Sequence, residues 1–504
     1  MFEWVYGSTS VNALKNHAHQ CINIPEDENE NNLDNGHSSK NNSSNSIHRC
    51  FCPLESTLSS SESTTSTIKV TASIIDGVSH GQIFLIKIAK SFVISGCPSH
   101  RLDHCLQLLM QKLGLKAQIG YVPGYLIVSF GDPESLGCAA QLITVSAGLD
   151  LNRFCLTYRL FESVLYEEIG IREAILALDQ ISLGAPLYSW WLTWLGYGLA
   201  SSSSMPLFFE GGCMDMLFGF VWGLVVSGGV VHLSTKVTRF ASIFDVVLSA
   251  MIGFLSAVVA SRLSLSTCFY SLSIGGVVTL LPGYATLTAL LEIGSGAAVA
   301  SGTLKLTTTL FYSLLIGFGL AIGASTHQLI FPSLALVSSS DICERNLSRL
   351  YDMLLVPLFA AGQLIILQAR WQKYPIMLIL AALSHALHRI CLSHFVVYPH
   401  VATVLASLAV ALVANLYSRL TPTVGFVDMI MGLLFLVPGS VGVSSSLACQ
   451  QGLIFSSHMM VIAVSVSVGL VLAATLLYPV RKILDHKRKK SSYHTKDWVG
   501  DITF

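Results

Sequence analysis

Residues 279–287 read TLLPGYATL and place Pro282-Gly283 in the middle of an apolar run of helical length. Proline lacks a backbone N–H and clashes with the preceding helical turn, so the pair predicts a broken helix. A second pair, Pro438-Gly439, interrupts a later apolar run. Lipid cannot hydrogen-bond a broken backbone, so such breaks persist in membranes where protein or a water-filled cavity satisfies them. Two breaks at matching places in a chain therefore indicate the binding site of a transporter.

The composition is that of a membrane protein. Of the 504 residues, 52% are hydrophobic and only 12% are charged. A soluble protein of this length cannot bury so much apolar surface, so the excess is expected to face a lipid bilayer. The formal net charge is zero, which gives no support to a nucleic-acid partner. The 12 cysteines show no zinc-ligand spacing, and we expect neither a metal nor a cofactor.

Changes in composition divide the chain into five parts. Residues 1–78 are rich in Asn, Ser, Glu and Thr and are predicted to form a disordered tail. Residues 79–185 predict a small α+β domain on the cytosolic side. Residues 186–330 and 331–480 predict two membrane repeats, and residues 481–504 predict a basic cytosolic tail.

About ten apolar segments follow the α+β domain, each near the roughly twenty residues that a bilayer requires. They are approximately Trp190–Phe209, Met214–Leu233, Ile243–Ser261, Cys268–Leu291, Thr307–Ser325, Tyr351–Ala369, Ile376–Phe395, Val401–Tyr417, Val424–Cys449 and Ser457–Tyr478. The breaks fall in the fourth segment of each set of five. Because five is odd, a duplicated unit enters the membrane upside down the second time. The pattern predicts a polytopic α-helical membrane protein made of two inverted five-helix repeats.

The distribution of basic residues predicts the orientation in the membrane. Residues 481–490 contain Arg481, Lys482 and a run of four further basic residues directly after the last apolar segment. Because basic residues concentrate on the cytosolic side, both termini are predicted to be cytosolic. Asn346-Leu347-Ser348 is a glycosylation sequon in a predicted non-cytosolic loop. The sequence is compatible with the plasma membrane and with the vacuolar membrane.

Local patterns predict the elements of the α+β domain. Ser99 has the properties of an N-cap for a helix that ends at Gly114. Two strand-like runs flank Pro123-Gly124, which predicts the turn of a hairpin.

Several motifs resemble the threonine/serine exporter family, and more closely its fungal branch. The similar stretches are GCPSHRL at 96–102, GLDL at 148–151, LPGY at 281–284, LE at 291–292, SLLIGFG at 313–319 and NLYSRL at 415–420. The resemblance covers the chain from about residue 80 to 480. It implies a cytosolic domain joined to ten helices that export hydroxy amino acids, with some relatives moving small dicarboxylates, driven by the proton gradient.

The half-helices that begin after the breaks are the predicted substrate site. The helix dipole attracts a carboxylate there, and the first N–H groups of each half-helix are expected to have no intrahelical partners. These are the N–H groups of Tyr284, Ala285 and Thr286 after the first break and of Ser440, Val441 and Gly442 after the second. The predicted substrate-binding residues are Pro282, Gly283, Tyr284, Thr286, Pro438, Gly439 and Ser440. The alternative is that each proline only kinks its helix, and that nearby hydroxyls bond their own backbone four residues back.

Three acidic residues are candidates for proton coupling. A charge at the centre of a membrane helix costs about 2.5–3.5 kcal/mol on insertion scales, so each acid needs a reason to be there. Glu292 is the first candidate, because it lies two to three turns after the break and within the family's Leu-Glu pair. Asp428 is the second candidate and Asp245 the third. Simple exposure at the membrane interface is the alternative for each of them.

Residues 97–105 also invite a second interpretation. Cys97 and Cys105 lie near His100 and His104, a combination compatible with a cysteine nucleophile and a histidine base. A capped helix explains the same residues. The His100-Arg101 pair is alternatively a contact to the membrane part or to a cytosolic regulator. We expect no catalytic residues and no enzymatic activity.

The leading prediction is a secondary active transporter, an antiporter that exports a small amino acid such as threonine or serine and is coupled to protons. Its expected partners are a small-molecule substrate (an amino acid or a small dicarboxylate), protons and the lipid bilayer, and a homo-oligomer is compatible with the sequence. The alternative is a non-transporting membrane receptor or regulatory scaffold that acts through its cytosolic domain. A membrane-anchored hydrolase ranks third.

Overall fold

The computed structural model describes residues 80–131, 139–230, 241–263, 267–296, 298–332, 348–395, 399–421, 424–436 and 464–477. Most of these residues are helical, and one three-stranded sheet lies in the N-terminal part. The predicted tails, the sequon asparagine Asn346 and the second break with Pro438, Gly439 and Ser440 lie outside the described residues.

The first seven elements form an α+β unit, called here the N-terminal domain. They are α1 (His80–Ser95), α2 (Ser99–Leu113), β1 (Ala117–Val122), β2 (Tyr125–Phe130), β3 (Ala139–Thr144), α3 (Leu151–Leu165) and α4 (Ile171–Leu183). The sheet is antiparallel in the order β1-β2-β3. The hairpin at Pro123-Gly124 is confirmed, since Val122 pairs with Tyr125 across it. The third strand was not predicted.

Helix α1 is the centre of the N-terminal domain. Phe84, Leu85, Ile88 and Phe92 on α1 are fully buried, because α2, α3 and α4 all pack against it. Burying one such side chain contributes about 1.5–3 kcal/mol relative to leaving it exposed. Helix α2 ends, as predicted, at Gly114, whose φ of 63° is the left-handed conformation of a glycine cap.

The remaining elements form a helical bundle, α5 to α15. They are α5 (Trp190–Phe208), α6 (Cys213–Gly228), α7 (Ala241–Arg262), α8 (Phe269–Val277), α9 (Gly283–Ser295), α10 (Val299–Ile330), α11 (Asp352–Ile366), α12 (Tyr374–His394), α13 (Pro399–Leu420), α14 (Gly425–Leu434) and α15 (Val464–Leu477). Within the described residues, α7, α10, α12 and α13 are long and apolar enough to cross a membrane. Four shorter helices, α6, α11, α14 and α15, are also apolar.

The predicted break in the fourth apolar segment is confirmed. Helix α8 ends at Val277 and α9 begins at Gly283, so the segment consists of two helices of 9 and 13 residues. At a rise of about 1.5 Å per residue, neither helix alone spans the roughly 30 Å core of a bilayer. The linking residues bond locally, with the Gly283 N–H donating to Leu281 O at 2.7 Å.

Neighbour relations recur between the two parts of the bundle. Helix α5 packs on α6 and α8, and α11 packs in the same way on α12 and α14. Helix α7 packs on α8 as α13 packs on α14, and α5 and α11 contact each other. A Cβ on Gly319 of α10 would lie 2.0 Å from the Oγ of Ser249 on α7. A Cβ on Gly469 of α15 would lie equally close, 2.0 Å, to the Oγ of Ser407 on α13.

The close approach of α7 and α10 gives a test of this packing. We expect Gly319→Ala to destabilise the protein by about 1–3 kcal/mol, because the added methyl overlaps Ser249 and the helices must separate. The measurement is the melting temperature of the full chain in detergent. Gly228→Ala is the matched control, since the nearest atom to its Cβ is a ring carbon of Trp194 at 3.7 Å. Equal melting temperatures for the two variants would contradict the packing.

Candidate functional site

The loop between α1 and α2 begins with a glycine that no other residue replaces without strain. Gly96 has a φ of 92°, in the left-handed region. A Cβ there would lie 2.9 Å from Gly148 O, and a Cβ on Gly148 would lie 2.4 Å from Ile94 O. The glycines of two separate family-like motifs, GCPSHRL and GLDL, therefore pack against each other. This contact fixes the loop that runs from Gly96 to Ser99.

The same loop lies along α9, the half-helix that follows the break. The Tyr284 hydroxyl donates a hydrogen bond to Gly96 O. The Ser99 N–H donates to Glu292 Oε1 at 2.8 Å, and the Ser99 hydroxyl lies 3.1 Å from that of Ser301 on α10. The N-terminal domain is thus bonded to both ends of α9.

The predicted N-cap role of Ser99 is wrong. Pro98 occupies the cap position with extended backbone, and no side chain of the loop caps the helix. The carboxylate of Glu292 instead accepts the buried N–H of Ser99, which has no partner within its own helix, and the positive end of the α2 dipole favours a negative charge there. A partner so distant in the sequence is invisible to local capping rules.

Glu292 is the centre of the contact between the domain and the bundle. Its side chain is 0% exposed and forms an ion pair with Lys305 on α10, whose side chain is 14% exposed. The Lys305 ammonium also lies 5.3 Å from the ring centre of Tyr121 on β1. The second carboxylate oxygen of Glu292, Oε2, has no hydrogen-bond partner among the described residues. One buried carboxylate therefore joins α2, α9 and α10.

The other two predicted proton sites lie apart from Glu292. Asp428, on α14, is fully buried and pairs with Lys373 at 2.7 Å. Asp245, on α7, accepts a hydrogen bond of 2.5 Å from the Tyr312 hydroxyl on α10. Glu292 and Asp428 are thus held in buried ion pairs with Lys305 and Lys373. Protonation of either acid would remove the charge that attracts its lysine. The assignment of proton coupling to them stays a prediction.

The residues after the first break are more fully bonded than the sequence predicts. The N–H and the hydroxyl of Thr286 each donate to Pro282 O at 2.9 Å. The expectation of an open N–H at Thr286 is therefore wrong, and its hydroxyl follows the alternative of bonding its own helix. The Tyr284 hydroxyl bonds Gly96 O and the Gly283 N–H bonds Leu281 O, so among the described residues the N–H groups of Tyr284 and Ala285 remain available in the first turn of α9. Helix α9 also packs on α14, which precedes the second break.

A small cavity lies where α2 meets the bundle. It is lined by His100, Arg101, Leu291, Asn415, Phe426 and Met429. The guanidinium of Arg101 lies 5.1 Å from the ring centre of Phe426. The contact of the His100-Arg101 pair with the bundle, one of the sequence alternatives, is therefore confirmed. Sequence reasoning missed Asn415 as a site residue, although the NLYSRL stretch was the signal that contained it.

Burial and charge set the protonation state of His100. Burial lowers its pKa to about 3, with the positive charges of Arg101 and Lys305 adding to the effect. The imidazole is therefore neutral at physiological pH and offers one N–H donor and one acceptor nitrogen. Its Nδ1 has no hydrogen-bond partner among the described residues.

The geometry opposes a cysteine nucleophile in this region. Cys97 and Cys105 are both buried. Burial raises the pKa of the Cys97 thiol well above its usual range and that of Cys105 to about 12. Because the thiolate is the nucleophilic form, neither thiol is activated at neutral pH. The part of the chain that the structure describes also contains no cluster of His, Cys, Asp or Glu that could hold a metal ion.

Two family models match the chain along most of its described length. One, described as a putative threonine/serine exporter, matches residues 83–327, and the other, described as a threonine/serine exporter, matches residues 352–476. The chain belongs to the threonine/serine exporter family. The first model covers the N-terminal domain and α5 to α9 with most of α10, and the second covers α11 to α15. The first match ends at residue 327 and the second begins at residue 352.

Curated relatives are fungal proteins. An uncharacterized protein of Schizosaccharomyces pombe is 29% identical over 439 residues, which are 82% of this chain and 57% of that protein. A pheromone-regulated membrane protein 10 of Debaryomyces hansenii is 29% identical over 443 residues, 82% of this chain and 44% of its own length. One of Candida albicans is 27% identical over 441 residues, with 82% and 40% covered. The chain spans about half the length of these relatives. No solved structure matches it.

The ion pair at the centre of the site can be tested by a double-mutant cycle. We expect Glu292→Gln to destabilise the protein by about 3–5 kcal/mol, because it leaves the Lys305 charge buried without its partner. Adding Lys305→Met to this variant is expected to recover part of the loss. The measurement is thermal unfolding of the full chain in detergent.

The matched control is the exposed pair between Lys87 and Asp179, whose side chains are 36% and 45% exposed. Lys87→Met is expected to change stability by less than about 1 kcal/mol, because water screens an exposed pair. Strict additivity of Glu292→Gln and Lys305→Met would show that the two side chains are not coupled.

Proposed function

We propose that this protein is a secondary active transporter that exports a small amino acid such as threonine or serine. The observation that carries the proposal is the match of exporter-family models to the N-terminal domain and to both parts of the bundle. The broken segment at Pro282-Gly283 supports it, because discontinuous helices form the substrate sites of many transporters. No enzymatic role is part of the proposal.

The proposed architecture has ten membrane spans in two inverted repeats. The recurring neighbour relations of α5 to α8 and α11 to α14 support a duplicated unit. The proposed membrane is the plasma membrane or the vacuolar membrane. Both termini would lie in the cytosol, so that the N-terminal domain covers the cytosolic end of the bundle. A homo-oligomer is compatible with this arrangement. The membrane repeats comprise residues 186–330 and 331–480.

In the proposed mechanism the two breaks bind the substrate between them. The first turn of α9, which begins at Gly283, would attract the substrate carboxylate through the N–H groups of Tyr284 and Ala285 and through the helix dipole. From the second half, the corresponding site would be the break at Pro438, Gly439 and Ser440, in which Gly439 and Ser440 carry backbone N–H groups and proline does not. The hydrogen bonds of Tyr284 and Glu292 to the loop of the N-terminal domain hold α9 near both of its ends. Alternating access would therefore require at least one of these bonds to break.

Glu292 is the proposed proton carrier, with Asp428 second and Asp245 third. A proton on Glu292 would remove the charge that holds Lys305 and would weaken the bond from Ser99 N–H. Proton binding would thereby loosen the contact between domain and bundle. Asp428 would release Lys373 in the same way.

Reconstituted transport tests the proposal directly. We expect the purified chain in proteoliposomes to move labelled threonine or serine when a pH gradient is imposed, with succinate as the dicarboxylate comparison. The measurement is initial flux with and without the gradient. Absence of flux for all three compounds would reject the transporter and favour a receptor or scaffold that acts through the N-terminal domain.

The role of Glu292 has its own test. Glu292→Gln is expected to abolish the dependence of flux on the pH gradient while leaving exchange of substrate down its own gradient, because glutamine cannot carry the proton. Asp179→Asn, which alters an exposed carboxylate of the same protein, is the control and should retain full coupling. Coupling that survives in Glu292→Gln would move the role to another acid.

A further inference from the structure

Arg101 is a buried cation without a carboxylate partner in the described part of the chain. The residue is only 5% exposed, and its Nη1 has no hydrogen-bond partner there. The ring of Phe426 is its one close charge-compensating contact among the described residues. Taking a guanidinium out of water is costly unless an anion or hydrogen bonds replace the water, and a cation–π contact offsets only part of that cost.

The guanidinium shares its cavity with two further polar groups. His100 is neutral and presents an unpartnered Nδ1. Asn415 uses one side-chain N–H for Ala411 O at 2.8 Å, which leaves its other N–H and its oxygen for a ligand. Lys305, the neighbouring cation, is already paired with Glu292. The positive charge of the cavity is therefore that of Arg101.

Apolar side chains form the rest of the lining. Leu291, Phe426 and Met429 contribute the wall. A single planar fork of N–H donors matches the two oxygens of one carboxylate, whereas a phosphate carries more charge than one guanidinium balances. The cavity has room for about one water-sized group. A carboxylate therefore enters it as the lining side chains move apart, and the apolar wall suits a short aliphatic side chain beside it.

We propose that Arg101, with His100 and Asn415, binds the carboxylate of a small metabolite at the junction of the N-terminal domain and the bundle. This inference rests on the proposed function for one point. The metabolite bound here is taken to be the exported substrate, which binds at this site before it reaches the break at Pro282-Gly283. Because the lining comes from α2, α9, α13 and α14, the site is complete only while the domain is docked. A bound carboxylate would therefore strengthen the docking.

Ligand binding to the purified full chain in detergent tests the site. The probes are threonine, serine, succinate and acetate, with threoninol as the analogue without a carboxylate and inorganic phosphate as the competing anion. Isothermal titration should show carboxylate binding that Arg101→Gln weakens by at least about tenfold, because the bidentate charge pair is lost. Threoninol and phosphate should bind at least about tenfold more weakly than threonine and succinate.

Arg172→Gln is the matched control, since Arg172 lies exposed on α4 of the same domain, and it should leave the affinity unchanged. Arg101→Lys keeps the buried charge but loses the fork, and it serves where Arg101→Gln does not fold. Affinity equal to the wild type in the folded Arg101 variant overturns the proposal, as does failure of all four carboxylates to bind.

Stability without ligand separates a binding role from a structural one. If the guanidinium awaits an anion, Arg101→Gln should melt at the same temperature as the wild type or higher, because it removes an unpaired buried charge. If Arg101 only packs on Phe426, Arg101→Gln should melt at a lower temperature than the wild type. The carboxylate probes should then raise the melting temperature of the variant as much as that of the wild type, and this result would overturn the proposal.

Flux assays distinguish this inference from the function it deepens. Wild-type transport together with Arg101-independent binding would reject the site and leave the transporter in place. Arg101-dependent binding without transport would retain the site and reject the transporter. Reduced flux in Arg101→Gln at low substrate, restored at high substrate, is expected when both hold.

Discussion

The contact between the two parts of this protein depends on one buried carboxylate. Glu292 accepts the N–H of Ser99 at the start of α2 and pairs with Lys305 on α10. A charge buried without such partners would be strongly unfavourable, so the three groups stabilise one another only when they are together. The N-terminal domain therefore completes the electrostatics of the bundle, and the bundle completes the first turn of a helix in the domain.

The same contacts determine how α9, the half-helix after the break in the fourth segment, is held in the structure. Helix α9 has 13 residues and does not reach across a bilayer. Its position is set by hydrogen bonds from Tyr284 and Glu292 to the same loop of the N-terminal domain. The recurring contacts of the two halves supply the surrounding frame, with glycines allowing α7 and α10 to approach closely. Motion of the loop and motion of α9 are consequently coupled through short hydrogen bonds.

Sequence reasoning predicted the features that local chemistry determines. The break at Pro282-Gly283, the hairpin turn at Gly124 and the cap at Gly114 each follow from the backbone preferences of glycine and proline, and each is present. The third strand was missed because Ala139–Thr144 is largely exposed and lacks a clear alternation of apolar and polar residues.

The composition of the candidate site could not be obtained in the same way. Ser99 was assigned to its own helix, and only the fold brings Glu292 to it. The family-like motifs did contain His100, Arg101 and Asn415, but no local pattern indicates that residues so far apart in sequence line one cavity. Ion pairs are equally hidden, since the partners of Glu292 and Asp428 are set by helix packing and not by spacing.

The bond from Tyr284 to Gly96 ends on a backbone carbonyl. No substitution at position 96 deletes that acceptor, because every amino acid carries it. Mutational damage at this point therefore acts through bulk and backbone conformation, as a side chain at position 96 would collide with Gly148 O and disfavour the observed φ. The chemistry of this acceptor is therefore the same in every variant. What a substitution can change is the backbone conformation of the loop, and that conformation decides whether the bond from Tyr284 forms.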